Sequence, residues 1–258
     1  MAGLVQSTMI EAVLFDLGDT LLDFDPLPRR QLFESAAHAT YEHLKSRNCK
    51  LPEFKKYFAL HIRAVRWAYI WASLRGREID SFGALQRWCT QQGYPHDDQS
   101  IRELIWMWYQ PIIPRSSVAP DVLPALRQLQ SDGLKLAVVS NTLLPGCVLD
   151  RHIEMVHLKE FFPVRIYSSE VGYRKPKKII FQAALDALNL PPQQCLFVGD
   201  LVKTDIKGAR RMGMTTILRK TPKRQNTALA DHIINTIGDL PQLVRKIRGQ
   251  IGATTAVV

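Results

Sequence analysis

The 258-residue chain is 46% hydrophobic and 22% charged, the balance of an ordinary globular protein with room for one full core, alone or carrying a smaller second unit. No apolar run reaches the roughly 20 residues that span a bilayer, and residues 1–9 lack the basic and then apolar regions of a secretory signal, so a cytoplasmic protein with no membrane partner is expected. A formal net charge of +10 favours anionic ligands; the densest basic stretch, Lys203, Lys207, Arg210, Arg211, Arg219, Lys220, Lys223 and Arg224, has no interleaved aromatics, so it reads as a solvated face and nucleic acid is not expected.

Along the chain, the apolar run Ala12-Val13-Leu14-Phe15 predicts a buried strand that ends abruptly in Asp16-Leu17-Gly18-Asp19-Thr20. Ligands of open α/β sheets gather beyond the carboxyl ends of the strands, which is where Asp16 falls. Taken alone, an acid there is also an ordinary turn former or helix cap. Residues 26–115 show no strand. Helical spacing covers Arg29–Ser46, Glu53–Arg75, Ser81–Gln92 and Gln99–Tyr109, with breakers at Leu51-Pro52, Gly76 and Gly93-Tyr94-Pro95. An all-helical insert is expected, with Trp67-Ala68-Tyr69-Ile70-Trp71 as its bundle core. From Pro120 onward strands at Leu134–Val139, Arg165–Tyr167, Cys195–Val198, Thr215–Leu218 and Ile233-Ile234 alternate with helices at Lys177–Leu188, Asp205–Met212 and Asp239–Ile247. That alternation predicts a Rossmann-like, doubly wound parallel α/β sheet. The core then comprises residues 1–25 and 116–248, the insert 26–115, and 249–258 a frayed, disordered tail. Four cysteines without a CxxC spacing read as reduced, mostly buried thiols.

Three later strand ends carry polar groups. Ser140-Asn141-Thr142 follows one strand and opens toward a helix, a natural phosphate cradle of hydroxyl and backbone N–H groups. In Gly172-Tyr173-Arg174-Lys175-Pro176, the proline suits a first helical position and leaves Lys175 at a helix N-terminus, able to neutralise a carboxylate and a transferring phosphoryl group together. Gly199-Asp200, with Asp205 five residues on, adds two carboxylates. Joined by Asp16 they form a hard oxygen site suited to Mg²⁺. Each piece alone is ordinary, whereas all four in this order form one constellation.

With these motifs the chain resembles the haloacid dehalogenase-like (HAD) hydrolase superfamily over nearly its whole length. Asp16 to Thr20 is similar to that family's first motif, Ser140-Asn141 to the second, Lys175 to the third, and Gly199-Asp200 with Asp205 to the fourth. The insert resembles the family's C1 cap. The resemblance implies a Mg²⁺-dependent phosphatase of a small phosphorylated metabolite. In it Asp16 is the nucleophile that becomes an aspartyl-phosphate, Ser140 and Asn141 hold phosphoryl oxygens, and Lys175 bridges them to Asp16. Asp16, the Gly18 carbonyl and Asp200 ligate the metal, with Asp205 as a ligand or outer partner. One departure stands out: family phosphatases usually carry a second aspartate two residues after the nucleophile as general acid and base. Here that residue is Gly18, with Asp19 one place later as the candidate acid, so leaving-group protonation is weakened or displaced. The alternatives are a 2-haloacid dehalogenase-type hydrolase, disfavoured because Asp200 and Asp205 would repel Asp16 and an anionic substrate, and a catalytically weak phosphoryl-binding or scaffold protein, supported by Gly18.

Overall fold

The computed structural model describes residues 9–25, 28–75, 77–221 and 229–255. Strand β1 (Ala12–Phe15) leads through a tight turn into β2 (Asp23–Phe24). Four helices follow: α1 (Arg29–Ser46), α2 (Phe54–Arg75), α3 (Ser81–Gln92) and α4 (Asp98–Tyr109). A 3-10 turn over Gln110–Arg115 brings the chain back to β3 (Ser116–Ser117), which pairs antiparallel with β2. The chain therefore leaves and re-enters the core through one two-stranded stem. Asp80 and Asp97 cap α3 and α4 by accepting hydrogen bonds from Gly83 and Ser100 N–H, which satisfies amides that a helix start leaves open.

Beyond the stem come α5 (Val122–Ser131), β4 (Lys135–Ser140), α6 (Gly146–Met155), β5 (Val164–Tyr167), α7 (Ser168–Val171), α8 (Lys178–Leu188), β6 (Cys195–Gly199), a π-helical turn over Val202–Ile206, α9 (Lys207–Met212), β7 (Thr215–Arg219), β8 (His232–Ile234) and α10 (Leu240–Thr255). The six core strands are all parallel, in the order β5-β4-β1-β6-β7-β8. The chain builds outward from β1 through β4 to β5, then crosses to the other side for β6, β7 and β8. The order reverses beside β1, and a crevice opens at the carboxyl end of the strands at such a switch point.

Burial explains why β1 reads as a continuous apolar run. Successive residues of a strand face opposite sides of the sheet. Val13 and Phe15 pack with Leu126, Leu129 and Val244 on one face, while Ala12 and Leu14 pack with Phe181, Ala184 and Phe197 on the other. A strand covered on both faces has no polar side to alternate with. Among the described residues, no helix is long and apolar enough to cross a membrane.

Several expectations change. Trp67 and Trp71 are 56% and 52% exposed, and Ile70 and Leu74 are exposed with them, so this face of α2 is not bundle core. The core of the insert comes instead from Tyr57, Cys89, Ile101, Leu104 and Ile105. Helical spacing identifies an apolar stripe, but which stripe meets a partner is a tertiary matter. The last helix runs on from Ile247 to Thr255, into the segment expected as a tail, through Gly249 and Gly252. Residues 256–258 lie outside the described residues. Cys89 and Cys195 are buried and Cys49 is half-buried, whereas Cys147 is exposed. Within the basic stretch Arg219 is not solvated: it forms a bidentate pair with Asp23, at 2.7 and 3.0 Å, and donates to the Asp19 and Thr20 carbonyls. Lys223 and Arg224 lie outside the described residues.

Candidate active site

Asp16 is the first residue past β1, and its N–H donates to the Val198 carbonyl of β6, so the neighbouring strand holds its backbone in place. The turn that follows is tied to the Leu17 carbonyl, which accepts from the N–H groups of Leu21 and Leu22 at 2.9 Å each. Thr20 Oγ1 donates to Asp16 Oδ2 at 3.4 Å. The three Arg219 contacts fasten the same turn from β7, a clamp that its place in a basic stretch gave no signal of.

Lys175 reaches this carboxylate from a distant loop. Its side chain is buried, and Nζ donates to Asp16 Oδ1 at 2.6 Å and to the Val139 carbonyl at 2.8 Å, with Asp205 Oδ1 at 2.9 Å. An ammonium has three donors, and each has an acceptor here. Lys175 is not placed by a helix N-terminus: α8 begins at Lys178, with Lys177 as its cap residue. Asn141 does that work. Its Oδ1 accepts from Lys175 N–H at 2.7 Å and its Nδ2 donates to the Lys175 carbonyl at 3.2 Å. Asn141, expected to contact phosphoryl oxygens, thus commits its amide to orienting the lysine. Ser140 ends β4, buried and lining the cavity. In the turn after it, Thr142 N–H donates to Ser168 Oγ of α7 and Leu144 N–H to Thr142 Oγ1, so those two amides are already satisfied.

The third wall is the turn after β6. Asp200 and Asp205 are both buried. Asp205 Oδ2 accepts from Leu201 N–H at 3.0 Å, and Oδ1 accepts from Thr204 Oγ1. Gly199 makes this approach sterically allowable: a Cβ there would lie 2.6 Å from Asp205 Cβ and Oδ2. Carboxylate oxygens of Asp16, Asp200 and Asp205 all come within 4.8 Å of one another. Three buried hard-oxygen donors at that spacing suit Mg²⁺, which binds a few carboxylates and keeps waters or phosphate oxygens for the rest.

The electrostatics match this crowding. Burial pushes the Asp16 carboxyl up to about 6, with Lys175 opposing and Asp205 adding to the rise. Burial acts to lower Lys175, but Asp16 and Asp205 overcome it and hold the ammonium above its usual value. One cation serving two carboxylates accounts for both directions: the lysine stays charged, and Asp16 shares its counter-charge.

Asp19 lines the same cavity. Its backbone is left-handed, φ 54°, and its Oδ1 accepts from Phe24 N–H at 3.3 Å, so this carboxylate braces the turn into β2. At Gly18 a Cβ would meet only the Phe24 ring, at 3.6 Å, and the backbone there is not left-handed. The position has room for a side chain. Sequence reading missed Glu78, a buried carboxylate of the insert that pairs with Arg174 at the cavity; no local motif marks it, because its partners are distant in the chain.

A family model of the haloacid dehalogenase-like hydrolases matches residues 10–213. The chain belongs to that family. It is 26% identical over 250 residues to a ribulose-1,5-bisphosphate 5-phosphatase of Halopiger xanaduensis, covering 92% of this chain and all of that protein. A glyceraldehyde 3-phosphate phosphatase of Methanopyrus kandleri is 35% identical over 109 residues, 42% of this chain and 45% of that protein, so that match spans about half of the relative's length. In fold, the chain is similar to a 2-haloacid dehalogenase structure from Pseudomonas syringae, with a TM-score of 0.64 and 22% identity over 93% of this chain and all of the other. Phosphatases and dehalogenases thus share this fold, and the chemistry has to be argued from the site.

Proposed function

We propose that this hydrolase is a Mg²⁺-dependent phosphatase of a small phosphorylated metabolite, acting through an aspartyl-phosphate on Asp16. The observation that carries the reading is the buried cluster in which Lys175 Nζ joins Asp16 and Asp205 beside Asp200. The relatives named for ribulose 1,5-bisphosphate and glyceraldehyde 3-phosphate hydrolysis support the same substrate class.

Asp16 attacks phosphorus in line, the bond to the leaving oxygen breaks, and that oxygen takes up a proton. Water then attacks phosphorus of the aspartyl-phosphate, releasing Asp16 and inorganic phosphate. Lys175 stabilises charge that develops on the phosphoryl oxygens, and the Ser140 hydroxyl holds one of them. Asp16, the Gly18 carbonyl and Asp200 would hold Mg²⁺, with Asp205, already hydrogen-bonded through both oxygens, orienting the site. Bound there, the metal would neutralise the carboxylates and polarise the phosphoryl group. The helical insert, hinged on the β2–β3 stem, closes over the substrate as a cap. At the leaving oxygen the chain is poorly equipped, because Gly18 offers no side chain and Asp19 is engaged with Phe24. The acidic cluster argues against a 2-haloacid substrate, whose carboxylate it would repel.

The test is a panel of phosphorylated metabolites and p-nitrophenyl phosphate, assayed with Mg²⁺ and with EDTA, alongside chloride release from 2-haloacids. Phosphate release that needs Mg²⁺ and vanishes in Asp16→Asn is expected. Chloride release in EDTA, or phosphate release that survives Asp16→Asn, would overturn the mechanism. Binding of phosphate with no turnover of any substrate would favour a phosphoryl-binding protein instead.

A further inference from the structure

The cavity over Asp16 is about 470 Å³, within the range that encloses a small ligand. Among the described residues lining it, the cations are Lys175 and Arg174. Lys175 is fully engaged by Asp16, Asp205 and the Val139 carbonyl. The positive charge that remains for the rest of a substrate is therefore that of Arg174.

Its guanidinium is held at one edge. Arg174 Nε lies 3.3 Å from Glu78 Oε2; the Glu78 side chain is 2% exposed and that of Arg174 is 47% exposed. The closest approach of this ion pair is at Nε, whereas the Nη fork is the part of a guanidinium whose geometry takes a carboxylate or phosphate in bidentate fashion. Glu78 belongs to the insert, between α2 and α3, and is itself anchored on the core. Its N–H donates to the Gly172 carbonyl at 2.9 Å, Oε1 accepts from Ile79 N–H, and Oε2 accepts from Ser168 Oγ. Next to it, the Arg77 guanidinium lies 5.7 Å from the Tyr173 ring centroid. A buried carboxylate is costly unless paired and hydrogen-bonded, and Arg174 is the cation that completes this one.

We propose that Arg174 is a specificity-determining residue that binds a second anionic group on the leaving part of the substrate, and that Glu78 is its positioning residue. The substrate class is then phosphomonoesters that also carry a carboxylate or another phosphate, in preference to those of neutral alcohols. This rests on the phosphatase reading. Because Glu78 comes from the insert and Arg174 from the core, the anion site is complete only when the two meet.

A matched pair of probes tests it: 3-phosphoglycerate, which bears a carboxylate, and glycerol 3-phosphate, which bears neutral hydroxyls. The parent is expected to prefer the carboxylated probe. In Arg174→Ala the ratio of kcat/KM for 3-phosphoglycerate over glycerol 3-phosphate should fall about tenfold or more, the scale of one charge-assisted bidentate contact, mainly through KM. Arg174→Lys should recover part of the ratio, and Glu78→Gln should lower it with Arg174 intact. An equal loss on both probes, or an unchanged ratio, overturns the proposal. Turnover of p-nitrophenyl phosphate, which carries no second anion, reports separately on the phosphatase reading. Should the parent hydrolyse none of the three, calorimetric titration with the two probes still decides: a preference for 3-phosphoglycerate that is lost in Arg174→Ala supports the assignment, and no preference, or one that survives, refutes it.

Discussion

Replacing Gly18 with aspartate places a carboxyl two residues past the nucleophile, where the resemblance leads one to expect a proton donor. The structure makes this substitution tolerable: the new Cβ meets the Phe24 ring at 3.6 Å, an ordinary contact, and Gly18 is not in the left-handed region that only glycine enters freely. The stability change should stay within about 1 kcal/mol, the range of substitutions that create neither a clash nor an unpaired buried group. The kinetic change should be larger and selective. General acid catalysis contributes roughly 10²- to 10⁴-fold, and only leaving groups that need a proton can gain from it. Steady-state assays with Mg²⁺ on an alkyl phosphate and on p-nitrophenyl phosphate read the difference. The Gly18→Asp protein should gain at least about tenfold in kcat on the alkyl ester, a conservative share of that range, and change little on the nitrophenyl ester. A companion variant, Asp19→Asn, tests the neighbouring acid. A loss confined to alkyl esters would mark Asp19 as the donor in the parent, whereas its bond to Phe24 N–H predicts a loss shared by all substrates. If Gly18→Asp folds normally and gains nothing on alkyl esters, the argument that protonation is the deficient step is wrong.

Two further outcomes follow from the packing. In Gly199→Ala the added methyl would sit 2.6 Å from Asp205, whose carboxylate is pinned by Lys175 and Leu201. Overpacking of this kind costs about 1–3 kcal/mol, so Tm should fall by several degrees and turnover should drop even in the folded protein; a variant as stable and active as the parent would refute the close approach. The second concerns acid. His61 Nε2 accepts a hydrogen bond from Trp108 Nε1 at 3.0 Å, and burial pushes this histidine down to about 4. A folded pKa below the unfolded value of about 6.5 means that the unfolded chain takes the proton first. The stabilisation is complete above about pH 6.5 and is lost as pH falls toward 4, at most about 2 kcal/mol between pH 7 and pH 5. Burial lowers His152 as well, with the same sign, whereas Asp16, raised to about 6, has the opposite one. Denaturant unfolding of the parent against His61→Gln, which keeps an acceptor for Trp108, isolates the His61 contribution. Equal pH dependence in the two proteins would contradict it.

Much of the candidate site was legible because its logic is local. Asp16, Ser140 and Asp200 each stand at or just beyond the end of an apolar run, and in a parallel sheet every such end points to the same edge; Lys175 lies in the loop beyond the short helix that follows β5. What a residue does at that edge was less legible. Asn141 reads as a phosphate ligand beside Ser140, yet its amide clamps the Lys175 backbone, a partner 34 positions away. Arg219 reads as one more surface cation, yet it fastens the Asp19–Asp23 turn from across some 200 residues of chain. Glu78 carries no motif at all. Side chains whose partners lie far along the chain leave no spacing to read.

By itself the sequence determined the class of fold and where most of its helices and strands fall, since periodicity and turn chemistry are properties of neighbouring residues. It also showed that Gly18 lacks the expected acid. Only the tertiary structure decided that Asp19 Oδ1 accepts from Phe24 N–H, that Trp67 and Trp71 are exposed, and that an acid of the insert pairs with Arg174 at the cavity. Those outcomes depend on which surfaces meet once the insert folds back on the sheet. The physical reason is that burial and pairing are set by contacts across the fold, whereas helix and strand formation are set by what lies a few residues away.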